Sequence, residues 1–169
     1  MKIGSETEYP FSYATERFHN ELLTFVEPSI NGHPFVGLYI HKTSNRLAVK
    51  CPSSIVGEWH HVCYTWRSVD GQAQVYVNPH KDSCDKTVTG FAVGKVVQAS
   101  GTLSLGQEQS YPGGGLSLDQ SFDGEYTDVN VWSEALDVKQ IFRVSKCLGC
   151  GVDRCCNHKE EELTGDVVD

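Results

Sequence analysis

The sequence lacks any stretch approaching the ~20 consecutive apolar residues that cross a bilayer, so no membrane-spanning helix is expected. Positive charge is also in short supply. Against 22 Asp and Glu there are 14 Lys and Arg, a formal net charge of -8, and the basic residues never gather on one face. Nucleic acid, which needs such a face for its phosphates, is excluded as a partner, and so is a basic membrane-surface segment. There is no Asn-x-Ser/Thr sequon and hence no N-glycan acceptor. Met1-Lys2-Ile3-Gly4-Ser5-Glu6 contains no apolar signal core, so export is expected to depend on sequence outside this chain. Catalytic constellations are missing as well. No Ser-His-Asp elbow or phosphate loop occurs, and the nearest acidic cluster, Glu125 and Asp128, has the wrong spacing for the Glu-x-Asp-x-x-Glu strand motif of β-sandwich glycosidases. A binding protein is expected, not an enzyme.

What is present is an ordinary globular composition, 39% hydrophobic and 21% charged over 169 residues, enough for one domain with a sizeable core. Seven cysteines are many for this length and point to a disulfide-bearing extracellular protein. The odd count leaves at least one sulfur free, intermolecular, or paired elsewhere. Cys147-x-x-Cys150, Cys155-Cys156 and His158 offer zinc-type donors. Their spacing fits no zinc module, and adjacent cysteines sit awkwardly on one tetrahedral centre; loop disulfides and unpaired tail residues are the competing readings. His60-His61 reads as surface.

Short β-branched and aromatic segments alternate with turn signals, the pattern of an all-β sandwich. Strands are expected at Leu22–Val26, Phe35–His41, Arg46–Cys51, His60–Trp66, Gln74–Val77, Thr102–Leu105 and Tyr126–Trp132. Asn31-Gly32 and Asp70-Gly71 are two-residue hairpin signals, and Pro112-Gly113-Gly114-Gly115 makes an exposed loop. Val62, Tyr64 and Trp66 fall on one strand face, and His61, Cys63 and Thr65 on the other. One short helix is expected, capped by Asp137, with Val138, Ile141, Phe142 and Ser145 along one side. After Cys147 come a Cys-rich loop, the acidic run Glu160-Glu161-Glu162 and an extended Gly165-Asp166-Val167-Val168.

His61-Val62-Cys63-Tyr64-Thr65-Trp66-Arg67-Ser68 matches His-x-Cys-x-Ser/Thr-Trp-x-Ser/Thr through His61, Cys63, Thr65, Trp66 and Ser68. Phe11-Ser12-Tyr13-Ala14-Thr15 lies upstream. Leu105-Gly106-Gln107-Glu108-Gln109, the Gly113-Gly114 pair, Gln120, and Gly124 through Asn130-Val131-Trp132 follow in order. On these segments the chain resembles the pentraxin family, as a C-reactive-protein-like domain, from about Phe11 to Phe142. The resemblance implies an antiparallel jelly-roll β-sandwich of the laminin-G/concanavalin type, secretion, calcium-dependent ligand recognition in innate defence or lectin-like binding, and assembly into homo-oligomers. It divides the chain into a leader at 1–10, a partial domain at 11–146 lacking the first strands, and a divergent tail at 147–169. The missing portion normally carries the cysteine that pairs with Cys63.

Calcium takes six to eight oxygens, with carboxylates setting affinity. Carried over by resemblance, its ligands are the Asn20 side chain, the Glu108 carboxylate, the Gln109 backbone carbonyl and the Gln120 side chain. His19, Ser110 and Ser117 stand where the family has acids, with Asp119 and Asp123 as possible substitutes, so a weak or vacant site is expected ahead of a working one. Phe25 occupies the position of an aromatic wall for choline methyl groups, and reads alternatively as a core side chain. Phosphocholine-like or carbohydrate groups, or a protein, are the implied partners. The competing function is a calcium-free adhesion module from a larger receptor or mosaic ectodomain.

Overall fold

The computed structural model describes residues 7–29, 33–51, 57–78 and 86–146. Their eight strands make two antiparallel sheets: β1 (Phe11–Ala14), β2 (Leu22–Glu27), β3 (Phe35–Ile40), β4 (Lys42–Lys50), β5 (Val62–Arg67), β6 (Gln72–Val77), β7 (Lys86–Val88) and β8 (Thr102–Leu105). One sheet runs β4-β3-β2-β1-β8 and the other β5-β6-β7. Short alternating segments leave each sheet one apolar face, and the two faces bury each other. From the larger sheet Val26, Val36, Leu38, Ile40, Leu47 and Val49 enter this core; from the smaller one come Ala73, Val75 and Val77, with Val62, Tyr64 and Trp66 packed beside them.

The opposite face of β5 is covered too. Cys63 and Tyr76 pack under Leu136 and Ile141, the latter on the one α-helix, α1 (Val138–Lys146), with Val144 alongside. Asp137 caps this helix reciprocally. Its carboxylate accepts the Gln140 N–H at 2.8 Å and its own N–H donates to Gln140 Oε1 at 2.7 Å, the geometry of a capping box. Val138, expected on the packed side, is 59% exposed; the stripe that meets the sheet consists of Ile141 and Val144.

Three further expectations need correction, and β7 was not anticipated. His60, which read as surface, is buried. Tyr126–Trp132 forms no strand, and Val129, Val131 and Trp132 are exposed; among the described residues no strand lies beside it to supply ladder partners. Strand β7 gave no alternating apolar signal because none of its residues is buried. The Asp70-Gly71 turn is the end of a four-residue loop, since Arg67 pairs with Gln72 and the Gly71 N–H donates to the Arg67 carbonyl at 2.9 Å. Gly71 is needed there: its φ is +64°, and a Cβ would lie 2.5 Å from the Phe91 nitrogen. Asn31-Gly32 and the tail from Cys147, with its cysteines, lie outside the described residues. Cys51 is disulfide-bonded to a partner also outside them, while Cys63 is a free, buried thiol whose pKa is pushed by burial to about 11.

Candidate ligand-binding face

The residues singled out for binding lie on the larger sheet, on the face turned away from the core. Period-two alternation sends Leu23, Phe25 and Glu27 there, and register places Gly37 beside Phe25 and both Tyr39 and Arg46 in line with Leu23. The Phe25 ring lies against Gly37, where a Cβ would come within 2.5 Å of the ring and 2.0 Å of the Leu47 carbonyl oxygen. Phe25 is thus buried while still lining a pocket of about 510 Å³ with Tyr9, Glu27, Phe35, Tyr39 and Arg46. Its ring meets Tyr39 at 4.9 Å and carries the Arg46 guanidinium 4.6 Å from its centroid.

Beside the pocket, Asn20, Glu108 and Gln120 come together from three loops. The loop after β8 is moored by Gln109, a fully buried side chain whose amide donates to the carbonyls of Ser12 (3.1 Å) and Thr102 (2.9 Å) and accepts the Gly113 N–H (2.7 Å). Gln107 holds the 3-10 turn Leu118–Gln120 by donating to the carbonyls of Ser117 (2.7 Å) and Gln120 (3.0 Å). The loop before β2 is fixed through fully buried Glu21, which accepts the Gln98 N–H at 2.6 Å and pairs with His41 at 3.3 Å. These moorings aim Gln120 Nε2 at the Glu108 carboxylate (2.9 Å), and the Asn20 amide donates to it as well.

Burial raises the Glu108 pKa above its ordinary value, and the negative charge of Asp119 adds to this; the Asn20 hydrogen bond and nearby His19 act the other way. Asn20 Oδ1 is buried without a hydrogen-bond partner. An orphaned amide oxygen next to a destabilised carboxylate is a pair that a hard cation would satisfy. Only one carboxylate contributes, and among the described residues no three His, Cys, Asp or Glu side chains converge. This donor set fits one cation and is too poor in charge for two.

The substituted positions are engaged locally. Ser110 donates to the Gly115 carbonyl at 3.0 Å, Ser117 donates to the Asp119 carboxylate, and His19, Asp119 and Asp123 are exposed. The signature residues lie on the other sheet. Trp66 donates its indole N–H to the Phe91 carbonyl at 3.0 Å and Ser68 its hydroxyl to the Lys95 carbonyl, while Cys63 and Thr65 are buried and His61 donates its N–H to Asn78 Oδ1 at 2.9 Å. They clamp a loop onto the β5–β6 hairpin and take no part in the pocket. Sequence reasoning missed Tyr9, Glu27, Tyr39 and Arg46. Alternation alone would have placed Glu27 with Phe25, and pairing β3 with β4 would have added Tyr39 and Arg46.

The Pentaxin family model matches residues 4–153. C-reactive protein 1.1 of Limulus polyphemus is 37% identical over 169 residues, covering 96% of this chain. A rat protein named for its sushi, von Willebrand factor type A, EGF and pentraxin domains is 35% identical over 143 residues, 83% of this chain and 4% of that protein. Among solved structures, the heptameric SAP-like pentraxin of Limulus polyphemus superposes with a TM-score of 0.78 at 35% identity, covering 86% of this chain. The chain spans 61% of the length of that C-reactive protein and 66% of the SAP-like chain. Family match, strand architecture and the relatives' coverage agree, and the chain belongs to the pentraxin family.

Proposed function

We propose that the chain is an extracellular ligand-recognition module, acting in innate defence or a similar setting, that holds one calcium ion through Asn20, Glu108, the Gln109 carbonyl and Gln120. The ligand is taken by the adjoining pocket. The observation that carries this reading is the buried, unpartnered Asn20 Oδ1 against Glu108. Calcium would supply the positive charge that this pair lacks and a point of attachment for ligand oxygens. With a single carboxylate, affinity falls near the weak end for extracellular modules, about 10⁻⁴–10⁻³ M. Binding requires ionised Glu108, so it weakens as pH falls through a pKa lying above the ordinary carboxylate value. Titration calorimetry with calcium should give one weak site, lost in Glu108→Gln. Two tight sites would contradict the proposal.

A calcium-free adhesion module is the second reading, favoured by the rat relative in which a matching domain forms 4% of a mosaic protein. Absence of any calcium heat in well-folded protein, with retained binding to a protein partner, would select it.

A further inference from the structure

We propose that Arg46 makes the Phe25 pocket a site for the acidic group of a ligand, a carboxylate or a phosphate ester, and closes it to quaternary ammonium groups. The inference rests on the ligand-recognition reading of this face and names the chemistry it selects.

An aromatic wall attracts a cation through the negative face of its ring. Here that face already has one, because the Arg46 guanidinium stands 4.6 Å over the Phe25 centroid. A ligand ammonium would have to displace it and would meet a like charge. The guanidinium is held in place from two sides, donating through Nε to Tyr39 Oη at 3.1 Å and through Nη2 to Glu27. Those are its hydrogen-bond partners among the described residues, and a guanidinium carries five N–H donors, so donors remain for an incoming oxygen. Tyr39 accepts from Arg46, which leaves its own hydroxyl proton to give. Tyr9, whose pKa is pushed by burial to about 12, keeps its proton at neutral pH and is a further donor at the pocket wall.

Donors therefore converge, and Glu27 is the one acid among the lining residues. Its ion pair with Arg46 is solvent-exposed, with side chains 38% and 42% accessible, and pairs of that kind are weak. A ligand acid can compete for the guanidinium and gain the fork geometry that favours carboxylates and phosphates.

The test is calorimetric or NMR titration of the full chain in calcium-containing buffer with glucuronate, glucose 6-phosphate, glucose and choline. At least one acidic sugar should bind about tenfold more tightly than glucose, and choline should not bind. Arg46→Gln should abolish that preference, whereas Glu27→Gln, by removing the internal competitor, should tighten acid binding a few-fold. Whichever acidic sugar binds better identifies the acid. Choline binding as tight as the acids, or an acid preference unchanged in Arg46→Gln, would overturn the proposal. Calcium binding with no sugar bound would overturn it while sparing the calcium reading; loss of both would end both.

Discussion

The β5–β6 hairpin and the outer face of the larger sheet use the same backbone geometry to opposite ends. In the hairpin both sides of β5 are covered, one by the inter-sheet core and the other by α1; Trp66 and Ser68 donate to neighbouring carbonyls, while His61 Nδ1 and Tyr64 Oη are buried without a hydrogen-bond partner. On the outer face, polar groups converge and satisfy one another only in part: Glu108 accepts from Gln120 and Asn20 yet is disfavoured by burial, the Asn20 amide oxygen has no partner, and Arg46 has N–H groups to spare. Both regions bury polar atoms without partners, and what sets the outer face apart is that its orphaned amide oxygen lies against a carboxylate, near a pocket that also presents an arginine. The most recognisable stretch of sequence is here the part that holds the fold, and the proposed binding chemistry is scattered over residues 9 to 120.

The sharpest way to break this contrast is to empty the hairpin. Trp66→Ala removes a packed ring and the clamp on Phe91, and should lower stability by about 3 kcal/mol, read by chemical denaturation, with no direct effect on calcium affinity in the folded fraction. On the outer face the steric limit is Gly37. Gly37→Ala drives a methyl into the Leu47 carbonyl and the Phe25 ring, and a loss of about 2 kcal/mol is expected, together with altered ligand binding.

Glu108→Gln should behave oppositely to a core mutation. A raised carboxyl pKa contributes stability that is fully present below the ordinary value and lost as pH rises through the folded-state value. Without calcium, the parent protein should thus lose stability across that interval while Glu108→Gln does not, so the variant melts no lower than the parent at neutral pH. A variant melting well below the parent would show Glu108 to be a structural anchor instead. The smallest effect belongs to Asp70, whose carboxyl is held by Arg67 down to about 2 in full solvent. Its contribution is present above the ordinary value and lost as pH falls toward about 2. Asp70→Asn should differ slightly from the parent at neutral pH and converge with it in that acidic window.

Much of the fold was legible because β2 and β3, buried on both faces, are continuous runs of strand-forming residues, because burial imposes period two on β5 and the start of β6, and because Asp137 marks the helix start. β7 left no such trace, being unburied, and Tyr126–Trp132 carries strand-like residues without a neighbour to pair with among the described residues. At the site, Asn20, Glu108 and Gln120 were legible only through family resemblance, since nothing local signals that three loops will meet. Phe25 was read as either core or ligand wall; it is buried and also lines the pocket, because Gly37 leaves room for the ring. Arg46 escaped notice because its role depends on register across three strands, which no local pattern reports.

The pairing of β8 with β1 joins Phe11 to Leu105 and Ala14 to Thr102, across most of the described chain, whereas β2-β3-β4 and β5-β6 close through nearby turns. Loop-closure entropy makes such a distant pairing the slow event in folding. Glu108 and Gln109 follow β8 directly, and Gln109 is moored to Ser12 and Thr102, the very strands being joined. On the proposed calcium reading, metal capacity would therefore be acquired at the end of the folding reaction. During refolding tryptophan fluorescence should change before the proposed site can take up calcium, which would make ion binding a clock for completion of the native topology.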